Sequence, residues 1–331
     1  MSRSIARSRA GILPGLLFAL TLLCASHARA GEPVATFSIV GRDPATGEVG
    51  VAVQSKFFAV GAVVPWAKAG VGAIATQAFA NTTFGPRGLE LLAAGHTAQE
   101  TLDRLLSDDP GREQRQVGIV DAEGGVASFT GTECNAWAGH VSGPDFTAQG
   151  NILVGEETVQ AMGRAFRETE GMLVERLMAA LEAGQAAGGD SRGMQSAAIL
   201  VEKTGAGYGG FNDRYCDLRV DDHEDPIREL RRIVDLWRVN ALILEGYTLV
   251  EKGEFDAAIA LGQRAASLDP GGEPRFHLAC YFSRASRPDE ALDALAEAVG
   301  RDPKLAERAR SDSDLTPIRE NSRFRDIVAR P

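Results

Sequence analysis

Thr36 is the residue in this chain whose type and position could do chemistry without a neighbouring histidine. As the first residue of a mature chain, its hydroxyl could attack an acyl carbon while its own amine, which titrates near neutrality, takes the proton. Inside a longer chain the same residue is simply a branched side chain suited to a sheet.

Other candidates carry less. Gly189-Asp190-Ser191-Arg192-Gly193 has the letters of a hydrolase elbow, but that motif needs a strand before it and a helix after it, and the sequence predicts the reverse order. Gly70-Val71-Gly72 opens a strand instead of closing one, so it is no dinucleotide loop. Asp221 and His223 could share a metal, since alternate strand residues face one way, yet no second cluster with ligand spacing exists. A solvated or helix-capping acidic run before Pro226 is the favoured reading. His140 is the other histidine near candidate chemistry, while His96 and His277 receive no role. No cofactor and no metal are expected.

The 331 residues are 44% hydrophobic and 24% charged, the make-up of folded globular protein. Four arginines and no acid lie in the first thirty residues, so the remainder holds 31 basic against 45 acidic side chains. That balance argues against nucleic acid as a partner. Arg3, Arg7 and Arg9, an apolar run from Ile12 to Leu23 and Ala28-Arg29-Ala30 have the layout of an export signal over residues 1–30. Pro14 and Gly15 interrupt a run already short for a bilayer, so the mature chain is expected to be periplasmic or extracellular with no membrane anchor. Leu23 before Cys24 speaks against lipidation. Of the remaining cysteines only Cys134 and Cys216 are candidates to pair, and three separate thiols are the favoured reading.

These residues must be positioned by strands and helices. Thr36 to Val40 and Val49 to Gln54 read as a hairpin across Asp43-Pro44-Ala45-Thr46-Gly47. Phe58 to Val64 and Val71 to Ala78 read as two further strands around a Pro65–Gly70 break, followed by two short helices from Pro86. A second hairpin spans Val117 to Thr130, and short strands fill Trp137 to Leu153. A helical pair follows over Thr158–Thr169 and Met172–Ala183, then strands Ser196–Lys203 and Tyr215–Val220, then a helix from Pro226 to about Trp237. This order fits helical layers on a mixed or antiparallel sheet, the α+β class, over residues 31–238.

Over residues 239–331 strand signals vanish and two segments repeat at an offset of 33: Gly246, Ala258, Ala265 and Pro270 match Ala279, Ala291, Ala298 and Pro303. Small residues at helix crossings and a Pro after the second helix mark tetratricopeptide-like hairpins, an all-α module expected to recruit a protein partner. Leu315–Ile318 and Phe324–Val328 are the expected cap.

The run Thr36-Phe-Ser-Ile-Val-Gly-Arg-Asp-Pro, together with Gln54-Ser-Lys-Phe-Phe-Ala-Val-Gly61, Pro65-Trp-Ala-Lys-Ala-Gly-Val-Gly72, Phe84-Gly-Pro-Arg-Gly-Leu-Glu90, Arg115-Gln-Val-Gly118, Trp137-Ala-Gly-His140, Gln149-Gly-Asn151 and Gly188-Gly-Asp-Ser-Arg-Gly193, closely resembles bacterial domain-of-unknown-function family 1028. The resemblance runs from Thr36 to about Trp237. That family is similar to N-terminal nucleophile hydrolases, which implies a four-layer αββα sandwich with two sheets between helices. It also implies cleavage of an amide bond in a small or peptidic substrate, with Thr36 as nucleophile and base. Within the resemblance, Lys56 or Lys68 would stand near the amine and lower its proton affinity, since like charges disfavour the protonated form, with an ordinary solvated lysine as the competing reading for each. Asn81 and Thr82, with Thr83, stand just ahead of Gly85-Pro86, where unpaired backbone N–H groups of a helix start would hold the oxyanion, and helix capping is their competing job. Asp190 and Asn151 lie in family motifs without an assigned role, and Asp190 is expected to serve structure first. Cleavage after Ala30 leaves Gly31-Glu32-Pro33-Val34-Ala35 ahead of Thr36, so the implied chemistry requires cleavage after Ala35 or self-trimming. A catalytically silent binding protein of the same fold is the alternative.

Overall fold

A computed structural model describes residues 36–329. The export signal and the stub ahead of Thr36 lie outside the described residues. The strands are β1 (Thr36–Arg42), β2 (Val49–Ser55), β3 (Pro65–Lys68), β4 (Gly72–Ala78), β5 (Arg115–Asp121), β6 (Val126–Thr130), β7 (Gly139–Gly143), β8 (Phe146–Asn151), β9 (Ser196–Glu202) and β10 (Arg214–Val220). They form a six-stranded sheet in the order β10-β9-β2-β1-β8-β7 and a four-stranded sheet in the order β3-β4-β5-β6, with every pairing antiparallel.

Period-two alternation sends the side chains of each strand two ways. Phe37 and Ile39 of β1 pack with Met162, Phe166 and Leu177 from α3 (Glu157–Glu168) and α4 (Leu173–Ala186). Ile74, Val117 and Ile119 of the smaller sheet pack with Phe84, Leu102 and Leu105 from α1 (Phe84–Ala93) and α2 (Ala98–Ser107). Between the sheets, Val40, Val51, Val53, Ala73, Ala75 and Val120 form a third apolar cluster. Each fully buried large side chain in these clusters stabilises the fold by roughly 1.5–3 kcal/mol of transfer free energy.

Two expectations change. The segment from Phe58 to Val64 is not a strand. Ala59 is left-handed at φ 53°, a short 3-10 turn covers Val60–Ala62, and the Val60 N–H donates to Ser196 Oγ at 3.1 Å. The strand lies instead on the supposed break, as β3, an edge position where Pro65 forfeits no ladder hydrogen bond. Second, the helix from Pro226 does not stop near Trp237. It runs unbroken as α5 (Pro226–Lys252), so residue 238 falls inside a helix. Nothing in Trp237-Arg-Val-Asn-Ala241 breaks helical geometry, and the Asn240 amide donates to Leu236 O at 3.0 Å.

Beyond α5 the chain is all helical: α6 (Phe255–Leu268), α7 (Glu273–Arg284), α8 (Pro288–Arg301), α9 (Leu305–Ser311) and α10 (Ser322–Val328). Tyr281 of α7 is fully buried and its hydroxyl donates to Ile243 O at 2.5 Å. A Cβ on Gly246 would come within 2.6 Å of that hydroxyl, so the close crossing of α5 and α7 requires glycine there. Among the described residues, no helix is long and apolar enough to cross a membrane.

Candidate functional site

Four polar residues stand in a row at one end of the six-stranded sheet. Thr36 opens β1 and is paired on one side with Ser55, the last residue of β2, and on the other with Asn151, the last residue of β8. Ser55 is paired in turn with Ser196, the first residue of β9. All four are buried. The Thr36 hydroxyl donates to Ser55 Oγ at 3.1 Å.

Behind the row, the layer between the sheets is polar where its other half is aliphatic. Ser38 donates to Gln77 Oε1 and accepts from Gln149 Nε2, both at 2.6 Å. Gln77 Nε2 donates to Gln116 Oε1 at 2.8 Å and to the Thr36 carbonyl at 3.4 Å. Gln116 is the hub. Its Oε1 also accepts from Asn151 Nδ2 at 3.0 Å, and its Nε2 donates to Gly150 O at 2.7 Å and Thr130 Oγ1 at 3.0 Å. Thr130 Oγ1 meets His140 Nδ1 at 3.0 Å, where burial lowers the imidazole's proton affinity. In a water-poor interior such a network is rigid only because its members are satisfied.

Two non-glycine residues beside this network are left-handed. Ala78 (φ 64°) directly follows Gln77, and Ile152 (φ 53°) directly follows Asn151. For a β-branched isoleucine this is a genuine outlier, costing on the order of 1–3 kcal/mol, and such strain concentrates at functional sites. Ile152 is pinned by its N–H to Asn135 O at 3.0 Å and by Ser191, whose N–H and hydroxyl both reach the Ile152 carbonyl, at 3.0 and 2.8 Å.

The candidate residues fall into two groups. Lys56 follows Ser55 and lies at this end of the sheet, exposed, with its ammonium on Met194 O at 3.1 Å. Asp190, whose side chain is fully buried, accepts the Lys56 N–H at 3.0 Å, the Arg192 N–H at 2.9 Å and the Arg192 guanidinium at 3.0 Å. It therefore ties the glycine loop to the end of β2, beside Thr36. Lys68 is not brought there. It ends β3 opposite Gly72, at the far end of β4 from Gln77, roughly 17 Å away along the strand.

Asn81 and Thr82 lie in the turn into α1, where the N–H groups of Thr83 and Phe84 are taken. Asn81 Oδ1 accepts from the Thr83 N–H at 3.2 Å and from the Thr83 hydroxyl at 2.7 Å, and the Asn81 carbonyl accepts the Phe84 N–H at 3.0 Å. Asn81 Nδ2 reaches Asp109, whose carboxyl the Arg115 guanidinium holds down at about 2. Asn81 therefore serves the turn into α1, and Thr82 is exposed.

Ser38, Gln77, Gln116 and Gln149 have no place in the sequence-derived site. Their signal was polar residues at alternate positions within otherwise apolar strands. The elbow-like loop at Asp190 sits between α4 and β9, without the strand-turn-helix geometry. His223 Nδ1 accepts the Asp225 N–H at 2.9 Å, serving the turn into α5. The described residues contain one cluster with metal-ligand types, Cys280, Asp312 and Asp314 in the helical tail, where Arg284 holds Asp314 at 2.9 Å and Asp312 caps a 3-10 turn. Cys134, Cys216 and Cys280 are free thiols.

The family model DUF1028, described as a family of unknown function, matches residues 36–230. The match starts at Thr36 itself and ends within α5. No curated protein matches the chain. A solved crystal structure, protein SPO2555 from Silicibacter pomeroyi, also carrying the DUF1028 model, is 33% identical with a TM-score of 0.56, covering 60% of this chain and 84% of its own. A family match beginning on the buried threonine that heads β1, and a solved relative with the same fold, lead to one conclusion: the chain belongs to the DUF1028 family, whose function is unknown.

Proposed function

We propose that residues 36–238 form the four-layer sandwich of an N-terminal nucleophile hydrolase and that Thr36, once liberated as the first residue of an exported chain, cleaves an amide bond. The observation that carries this reading is the placement of Thr36. It is the head of a central strand, its Oγ1 is 3.1 Å from Ser55 Oγ, and strained Ala78 and Ile152 follow residues of the same network. The three apolar clusters, helix on sheet, sheet on sheet and sheet on helix, support the layer order.

In this chemistry the hydroxyl of Thr36 bonds to the substrate carbonyl carbon as its proton passes to the Thr36 amine. The ammonium then protonates the leaving nitrogen, the C–N bond breaks, and water hydrolyses the ester to restore the hydroxyl. Lys56, at the same sheet end, is the cation that could lower the amine's proton affinity. The substrate class is a small or peptidic amide. Turnover of an amide panel by exported protein, lost in Thr36→Ala and partly kept in Thr36→Ser, tests the assignment; equal turnover in Thr36→Ala overturns it.

The helical tail we read as tetratricopeptide-like and protein-binding, supported by the 33-residue offset that aligns the starts of α6 and α8. One observation favours a second reading, a silent scaffold: the Lys56 ammonium is engaged by Met194 O and Lys68 is remote.

A further inference from the structure

Gln77 meets Thr36 from the facing sheet, and its surroundings dictate which of its atoms does so. It is the fully buried penultimate residue of β4, directly opposite Gln116 of β5. Its Oε1 accepts the Ser38 hydroxyl at 2.6 Å, and Ser38 Oγ in turn accepts from Gln149 Nε2. Its Nε2 faces the other way. One hydrogen goes to Gln116 Oε1 at 2.8 Å, and the second is shared between the main-chain carbonyls of Thr36 and Gln149, both at 3.4 Å. A main-chain carbonyl only accepts, so a turned amide would set oxygen against oxygen at two fixed points. The orientation is thereby settled.

Position matters because a chain terminus is poorly ordered unless something ties it down. Once liberated, Thr36 keeps its strand neighbours but loses the covalent tether on its amine side. Its hydroxyl is held by Ser55 at 3.1 Å, and its carbonyl is held by Gln77, 41 residues away in the chain and in the other sheet. The carbonyl carbon and the amine share one Cα. Fixing the carbonyl therefore fixes the plane from which amine and hydroxyl meet a substrate, and misplacement of reacting groups is costly. Left-handed Ala78, at φ 64°, turns the chain directly after Gln77. That strain, on the order of 1–3 kcal/mol, persists only where the surroundings over-determine the backbone.

We propose that Gln77 is a positioning residue for cleavage by Thr36: its Nε2, aimed by Ser38 and Gln116, holds the Thr36 carbonyl so that the freed amine and the hydroxyl stay in reacting register. The inference rests on Thr36 being the nucleophile. An N–H dipole beside the amine also disfavours its ammonium form, so removing the donor raises the amine's proton affinity. The test uses exported protein carrying Gln77→Met, which keeps the volume and loses the donor, or Ser38→Ala, which keeps Gln77 and frees its amide to turn. Each is assayed on the amide panel across pH, with melting curves in parallel. Both lose kcat, Gln77→Met roughly tenfold, with KM within about twofold, and the acid limb of kcat/KM moves to higher pH. The charged and titratable groups around this sheet end, Lys56, Asp109, Arg115, His140, Asp190 and Arg192, are untouched by either substitution. A merely structural glutamine lowers the melting point but leaves the kcat of the folded protein and the acid limb in place, and that result overturns the inference. Where Gln77→Met does not fold, Ser38→Ala is read by the same criteria. Amide turnover that is absent from the unaltered protein, or equal in Thr36→Ala, removes the nucleophile and this inference with it; an inactive Thr36→Ala beside an unaltered Gln77→Met removes this inference alone.

Discussion

Thr36 and Ser55 are paired at the ends of β1 and β2 and joined by a hydroxyl–hydroxyl bond of 3.1 Å, with both residues buried. That bond orients the Thr36 Oγ1 along the sheet and links it to the segment carrying Lys56. Geometry at this sheet end is therefore set from two directions, by the strand register and by the amide network behind it.

Gln116 is the keystone of that network. Gln116→Leu leaves Gln77, Asn151 and the Gly150 carbonyl without their shared partner, and each stranded buried group costs roughly 1–3 kcal/mol. Urea unfolding should show a loss of about 3–5 kcal/mol with an unchanged slope. A loss below 1 kcal/mol would mean the network is slack.

Asp190→Asn removes the charge that holds Arg192 and weakens the acceptor for the Lys56 N–H. Breaking a buried ion pair strands its partner, though Arg192 is partly exposed, so a cost of roughly 2–3 kcal/mol is expected. Hydrogen exchange should rise at residues 188–193 and at Lys56, and stay unchanged in β4 and β5.

Gly246→Ala pushes a methyl group against the Tyr281 hydroxyl. Over-packing here should cost about 1–3 kcal/mol and loosen the tail. Tyr281→Phe, which drops only the bond to Ile243 O, should cost about 1 kcal/mol, and combining it with Gly246→Ala should give less than the sum.

His277 gives the tail an acid limit. Burial, reinforced by Arg308 and opposed by Glu273 and Asp314, pushes its imidazole from 6.5 down to about 4, with Nδ1 2.8 Å from the Tyr247 hydroxyl. Between those values the unfolded chain binds a proton that the folded chain does not, so stability rises with pH through the window. Acidification from pH 6.5 to 4 should remove on the order of 3 kcal/mol through this group, and His277→Gln should flatten that part of the profile.

Much of the architecture was legible in the residues. The apolar alternation of Thr36–Val40 and Val49–Gln54, and the paired helices around Gly171, follow from periodicity and turn chemistry that tertiary context does not override. Phe58–Val64 misled because its apolar residues serve a compact turn held by Ser196, 136 residues downstream of Val60. The end of α5 misled because composition changes near Asn240 while the backbone does not. In the site, Thr36 and Lys56 were legible as candidates for chemistry and Asp190 as a candidate for structure. Gln77, Gln116 and Gln149 were not, because a glutamine in a strand acquires meaning only when a second sheet places another amide opposite it. Lys68 looked like Lys56 in sequence, and only register separates them.

The central claim concerns the amine of Thr36, and the mass of the natively exported, folded protein tests it most directly. The account predicts a chain that begins at Thr36 and hydrolyses amides. A folded, amide-cleaving product whose mass places its first residue at Gly31 would contradict it.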